Sequence, residues 1–224
     1  GRGIGRALTT RFIDAGNDVI VIGRSQPADL PTGAIFIACD LNDRVARDDL
    51  IEQVKSAHRD LSVLINNAGL QHEGNFARDW HYDDYASEME TNMDAMIHLC
   101  DGLFPLLEAA PQAAIVNVSS ALAIQPKQDA PIYCATKAFV RSFTKTLRYQ
   151  LEGSSIRVFD LVPPLVDTDM TRGRGTGKIS PEDLATIFWK AWLANREDIY
   201  VGKAGLLNMI NRLSPRLASR IVRH

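Results

Sequence analysis

Cysteine is scarce in this chain: Cys39, Cys100 and Cys134 are the only three among 224 residues. They are odd in number and none stands at metal-ligand spacing, so neither a disulfide framework nor a structural zinc site is indicated. They read as reduced, small apolar residues of a cytoplasmic protein. A long apolar run is also missing. Nothing approaches the roughly 18 residues that a membrane span needs, and no secretory signal pattern is visible. Charge of one sign is not in excess either: 25 Lys and Arg against 27 Asp and Glu give a formal net charge of −2. That balance gives no whole-chain attraction to nucleic acid or to a membrane surface. Internal repeats, low-complexity tracts and linker-like segments are absent too, which predicts one domain over residues 1–224.

What is present is alternation. Short β-branched runs at 18–23, 34–40, 62–69, 113–120 and 155–162 are separated by helical patterns at 43–59, 82–108, 131–151 and 181–194. The runs are continuous rather than alternating in polarity, as in strands buried on both faces. Strand and helix at this spacing imply βαβ crossovers, a parallel sheet and helices on both of its faces. The fold class predicted is therefore α/β, a doubly wound parallel sheet. In "SPED", Ser180 is the expected N-cap, with Pro181 in the first turn and Asp183 reaching back.

The chain opens on "GRGIGRAL", where Gly3 and Gly5 directly precede a helical stripe of Ala7, Leu8 and Phe12. Glycines at a helix start leave bare N–H groups and a favourable dipole for a phosphate, but they also mark ordinary tight turns. Three further pieces fall at strand ends, where open α/β sheets bind ligands. These are "NNAG" (66–69), "VSS" (118–120) and "YCATK" (133–137), the last placing Tyr133 and Lys137 one turn apart on a helix.

Taken together these residues resemble the short-chain dehydrogenase/reductase family over nearly the whole chain. The family pattern has a TGxxxGxG turn, NNAG, a helix Asn, a Ser and YxxxK, in that order. Gly3-Ile4-Gly5 matches the end of the turn and Asn92 the helix Asn. The resemblance predicts a further strand, a Thr and a first glycine ahead of Gly1, with that strand central in the sheet and the chain as given lacking it. It implies a Rossmann-like domain and a catalytic set of Asn92, Ser119, Tyr133 and Lys137. Tyr133 would be the general acid, Lys137 would lower its pKa and hold the nicotinamide ribose, Ser119 would bond the substrate oxygen, and Asn92 would anchor a relay water. A free phenol titrates near 10, so it needs such help to act near neutrality.

For the cofactor, the resemblance implies contacts from Arg2, Gly3, Ile4, Gly5, Asp40, Leu41, Asn67, Ala68, Gly69, Tyr133, Lys137, Val166 and Thr168. The second family strand closes on "VIGRS", with no carboxylate to bond an adenosine 2′-hydroxyl. Arg24, beside Ser25, can pair a 2′-phosphate through its planar fork. NADP(H) is thus favoured over NAD(H). The partner expected is a small carbonyl or alcohol substrate, and the assembly a homo-oligomer, dimer or tetramer. A catalytically silent NADP(H) sensor or scaffold is the alternative.

Two segments depart from the family. "TRGRGTGK" (171–178) is glycine-rich and basic where a substrate lid is expected, and Arg172, Arg174 and Lys178 with no nearby carboxylate hint at an anionic substrate. Residues 203–224 carry five Lys or Arg and no Asp or Glu, and read as a helix pair for packing or dimerisation. That tail and "PPLVDTDM" are similar to a bacterial subgroup named after an oxidoreductase linked to teichoic-acid D-alanylation, which implies an envelope connection as one reading.

Overall fold

A computed structural model describes residues 1–78 and 80–223. Helix α1 (Gly3–Asp14) leads to β1 (Val19–Gly23), β2 (Ala34–Ala38), α2 (Arg44–Ala57) and β3 (Val63–Asn66). Helix α3 (Tyr82–Met89) runs through a π-helical turn (Glu90–Asp94) into α4 (Ala95–Ala109), followed by β4 (Ala113–Val118), α5 (Pro131–Gln150) and β5 (Ile156–Val162). The chain continues as α6 (Pro181–Leu193), β6 (Asp198–Tyr200), α7 (Lys203–Leu213) and α8 (Pro215–Val222). Local signals explain several starts: Asp43 accepts from the N–H groups of Val45 and Ala46, Ser180 accepts from Asp183, and Pro131 opens α5.

All strand pairs are parallel, in two sheets ordered β2-β1 and β3-β4-β5-β6. Strand β4 is buried at every position and alternates between two cores. Ala114, Val116 and Val118 face α1 and α6, where Phe12 meets Phe188, Trp189 and Trp192; Ala113 and Ile115 face α4 and α5. A third cluster packs α2 and α4 on β2, with Gly102 so close to Ile51 that a Cβ there would collide with its side chain. Continuous apolar strands are what such two-sided burial requires.

Strands β1 and β3 do not pair, and a cavity of about 800 Å³ runs between their facing edges and on toward the start of α1. These two strands are half-buried. Two differences from expectation matter for the site. The NNAG residues after Asn66 leave the strand, and the single helix expected over 82–108 is interrupted by the π turn that contains Asn92. No helix among the described residues is long and apolar enough to cross a membrane.

Candidate active site

The strand ends of β3, β4 and β5 converge with the first turns of α1 and α5. Asn66 donates to Asn117 Oδ1 at 2.8 Å, and Asn117 donates to Thr144 of α5 at 2.9 Å, so the first Asn of NNAG locks strands together rather than facing a ligand. The next residues do face the cleft. A Cβ on Gly69 would stand 3.4 Å from Asn92 Oδ1 and 3.5 Å from Lys137 Nζ. The bare backbone there leaves open the point where these two side chains meet.

Asn92 is 2% exposed and ties three segments. Its Oδ1 accepts from Leu70 N at 2.8 Å, and its Nδ2 donates to Leu70 O at 2.9 Å and Thr136 Oγ1 at 3.0 Å. The π turn is what swings it inward, a use such turns often have at functional sites. It is pinned from outside by Arg47, itself fully buried, which reaches Glu90 at 2.7 Å, Asp94 at 2.6 Å and Leu41 O at 2.5 Å.

The two serines after β4 divide. Ser119 does not meet Tyr133: it is 1% exposed and donates to Asp160 Oδ1 at 2.5 Å, beside Arg141 at 3.4 Å from the same carboxylate's Oδ2. Side chains two residues apart share a sheet face, so Ser119 follows Asn117 under α5. Ser120 is the serine near enough to act on the Tyr133 phenol, and its Oγ accepts from Leu122 N at 3.1 Å. The structure thus sets Ser120, rather than the expected Ser119, toward Tyr133.

The electrostatics also differ from expectation. Burial pushes the Tyr133 phenol up to about 12, against the opposing pull of the Ser120 hydrogen bond and the Arg174 charge. Lys137 is not what lowers it. Its Nζ donates to Val118 O at 2.8 Å, lies 5.7 Å from the Tyr133 ring centre, and is itself pushed down to about 8 by burial. Glu88, one turn before Asn92, belongs to no motif of the sequence: it is fully buried, accepts from His72 N at 2.9 Å through Oε2, leaves Oε1 without a hydrogen-bond partner among the described residues, and is raised to about 7 by burial. The thiols of Cys39, Cys100 and Cys134 are all buried and pushed up, Cys100 to about 11, which is the reverse of an activated nucleophile.

The cleft at the start of α1 fits a dinucleotide. Helix α1 has no side-chain N-cap and no acidic residue in its first turn. Gly3, at φ +50°, lies where a Cβ would meet Thr168 Cγ2 at 2.8 Å, and a Cβ on Gly5 would meet Asn67 Nδ2 at 2.8 Å. The cradle therefore brings the glycine turn, NNAG and the loop after β5 together, and any larger residue would fill it. Arg2, Ile4, Arg24, Ser25, Asp40, Leu41 and Ala68 line the same cavity. Arg24 and Ser25 are exposed; Asp40 accepts from Asn42 N at 3.0 Å; Arg2 faces Asp169 at 3.9 Å. Val166 is outside the cavity lining, 3% exposed, with its carbonyl accepting from Thr171 Oγ1 at 2.5 Å.

A parallel sheet flanked by helices, with a glycine cradle at a helix start and a Tyr-Lys pair across the strand ends, defines a Rossmann-fold oxidoreductase. The family model for short chain dehydrogenases matches residues 1–178, and the chain belongs to that family. It is 40% identical over 178 residues to the uncharacterized oxidoreductase DltE of Bacillus subtilis strain 168, covering 76% of this chain and 70% of that protein. It is 32% identical over 194 residues to sulfoacetaldehyde reductase 2 of Chromohalobacter salexigens (81% and 75%). It is 28% identical over 212 residues to the NADP-dependent 3-hydroxy acid dehydrogenase YdfG of Salmonella typhi (86% and 85%). Among solved structures, a short chain dehydrogenase of Burkholderia cenocepacia J2315 in complex with NADP superposes with a TM-score of 0.88 at 22% identity, covering 100% of this chain and 94% of that one. One from Burkholderia phymatum, in complex with NAD, gives 0.84 at 21% identity, covering 96% and 91%.

Proposed function

We propose that this protein is an NADP(H)-dependent carbonyl reductase or alcohol dehydrogenase in which Tyr133 exchanges the proton with the substrate oxygen. The observation that carries the reading is the convergence of Asn92, Ser120, Tyr133 and Lys137 beside the glycine cradle. When bound, the nicotinamide supplies or takes up the hydride. Gly3, Gly5, Asn67 and Thr168 would hold the dinucleotide, and Lys137 its ribose.

Ser120 and Tyr133 would share the substrate oxygen, with Ser120 stabilising charge on it as water is excluded. For Tyr133 to act near neutrality its phenol must fall from about 12. Arg174 by its charge and Ser120 already pull in that direction, and Lys137, once turned from the Val118 carbonyl, adds a second positive charge. Asn92 fixes the helix turn and the Leu70 backbone from which a proton relay would run.

The absence of a carboxylate after β1 and the exposed Arg24 support NADP(H), as does the NADP dependence named for YdfG. The two relatives named for their substrates handle a sulfonated aldehyde and hydroxy acids, so a small carbonyl or alcohol substrate is the reading for this chain. We further read it as a cytoplasmic homo-oligomer, supported by three unpaired cysteines and by the apolar residues that α7 and α8 leave exposed.

Titration with NADPH and NADH, then turnover of a carbonyl panel, tests the whole reading. Tyr133→Phe is expected to lower kcat by about 10²–10⁴-fold, the size of a general-acid contribution, with NADPH affinity within threefold of the parent. Unchanged turnover in that variant removes Tyr133 from the mechanism; tight NADPH binding with no turnover of any carbonyl by the parent would instead make the protein a sensor.

A further inference from the structure

The basic loop at 171–178 holds three cations, and the structure gives them different surroundings. Arg172 has a side chain 82% exposed and pairs with Asp169. Lys178 donates to Thr171 O at 2.6 Å and faces Asp167 at 3.4 Å. The expectation that no carboxylate stands near these cations is therefore corrected for both, and for Arg174 as well, which faces Glu73 at 3.5 Å.

Arg174 is different. Its side chain is 31% exposed and turned in from the loop, and its Nη1 is buried with no hydrogen-bond acceptor among the described residues. The nearest carboxylate oxygen, Glu73 Oε1 at 3.5 Å, already accepts from Lys127 Nζ at 2.9 Å and Gln71 Nε2 at 3.3 Å. Glu73 is thus shared, and Lys127 is further engaged by Asp129 at 3.8 Å. A buried charged donor left without an acceptor is costly, so its persistence points to an acceptor that arrives with a ligand. The direction of Arg174 is set by its neighbours: Gly173, Gly175 and Gly177 adopt φ of 76°, 55° and 67°, and Gly175 packs so tightly that a Cβ would lie 2.6 Å from Leu165 Cδ2. Non-glycine residues rarely take such backbone. The guanidinium is near enough to Tyr133 for its charge to act on the phenol.

We propose that Arg174 binds the acid group of the substrate, so that the compound turned over at Tyr133 is a compact carbonyl or hydroxy acid bearing a carboxylate or sulfonate. This rests on the reading of Tyr133 as the proton-exchanging group. The guanidinium fork matches two oxygens of either anion, and binding there would supply the missing acceptor while leaving Glu73 to Lys127. The anion would hold the reacting carbon against Tyr133, so Arg174 acts on specificity through positioning.

The test compares succinic semialdehyde with its methyl ester, at saturating NADPH. The parent is expected to favour the acid by 30-fold or more in kcat/KM. Arg174→Gln should lower kcat/KM for the acid about 100-fold, chiefly through KM, and for the ester at least tenfold less, the smaller loss reflecting the charge withdrawn from Tyr133; Arg174→Lys should recover part of the loss. As a readout apart from turnover, calorimetric binding of succinate to the NADPH-saturated protein should disappear in Arg174→Gln. Equal handling of acid and ester by the parent, equal losses on both substrates in the variant, or succinate binding unchanged by it would overturn the proposal. If Tyr133→Phe turns over both compounds normally, the reading of Tyr133 fails; if Tyr133→Phe is inactive while Arg174→Gln does not discriminate, only the role of Arg174 fails.

Discussion

Ser119 and Ser120 are adjacent, of one type, and close a strand whose last residue is Val118, so nothing local in the sequence says which of them meets Tyr133. The decision is made elsewhere in the chain. Asp160 on β5 and Arg141 on α5 form a polar pair under the sheet, and Ser119 is drawn to it at 2.5 Å. Ser119→Ala removes a hydrogen bond to a buried carboxylate and should destabilise the protein by about 1–3 kcal/mol in a urea titration, with turnover by the remaining folded enzyme nearly unchanged. Ser120→Ala should do the opposite: stability within about 1 kcal/mol, since a cap at a short turn and the interaction with the Tyr133 phenol are all that is lost, and kcat lower by about 10–100-fold. Loss of activity on Ser119→Ala, with Ser120→Ala active, would return the role to the residue that the motif first suggested. Asn92, Tyr133 and Lys137 were legible because their spacing is fixed within helices. Arg174 was legible only as charge, because its orientation depends on glycine backbone angles and on Glu73, which is distant in sequence.

Among the elements, the π turn carries the feature that periodicity could not reveal. Inserting one residue into a helix rotates the turns beyond it without interrupting its apolar stripe, so residues 82–108 read as a single helix. The turn is kept in place by Arg47 on α2, which no motif singles out. Its side chain is 1% exposed and joins Glu90 and Asp94, the two ends of the turn, while Leu41 O and His98 Nδ1 take its other donors. Breaking a buried ion pair by removing one partner typically costs about 3–5 kcal/mol because a charge is stranded. Here the stranded groups are Glu90 and Asp94, whose side chains are 36% and 54% exposed and can hydrate. Arg47→Met, which preserves volume, is therefore expected to cost about 2–3 kcal/mol, below that range. It should also loosen Asn92, seen as faster exchange of the Leu70 amide that Asn92 Oδ1 holds. Full stability loss with Leu70 protection intact would separate Arg47 from the site.

At the scale of the molecule, the candidate cleft spans the two sheets. Arg24 and Ser25 extend from β1 in the two-stranded sheet, Asn67 to Gly69 extend from β3 in the four-stranded one, and α1 presents its glycines between them. Strands β4 and β5 pair on both edges and are almost wholly buried, whereas β1 and β3 face each other across an open cavity. A dinucleotide lying in the cleft would contact the ends of β1 and β3 and the start of α1 and stabilise the state in which they are held; at one hundred times its Kd the gain is about 2.7 kcal/mol. Hydrogen exchange with and without NADPH should therefore show slowing concentrated in the first turn of α1, the end of β1 and residues 67–69, with β4 and β5 little changed because they are already protected. Arg24→Ala should remove most of the difference between NADPH and NADH in that experiment, since both cofactors keep the cradle and differ only at the 2′-phosphate. Uniform slowing across all six strands would mean that the cofactor stabilises the fold globally rather than through the residues that line its cradle.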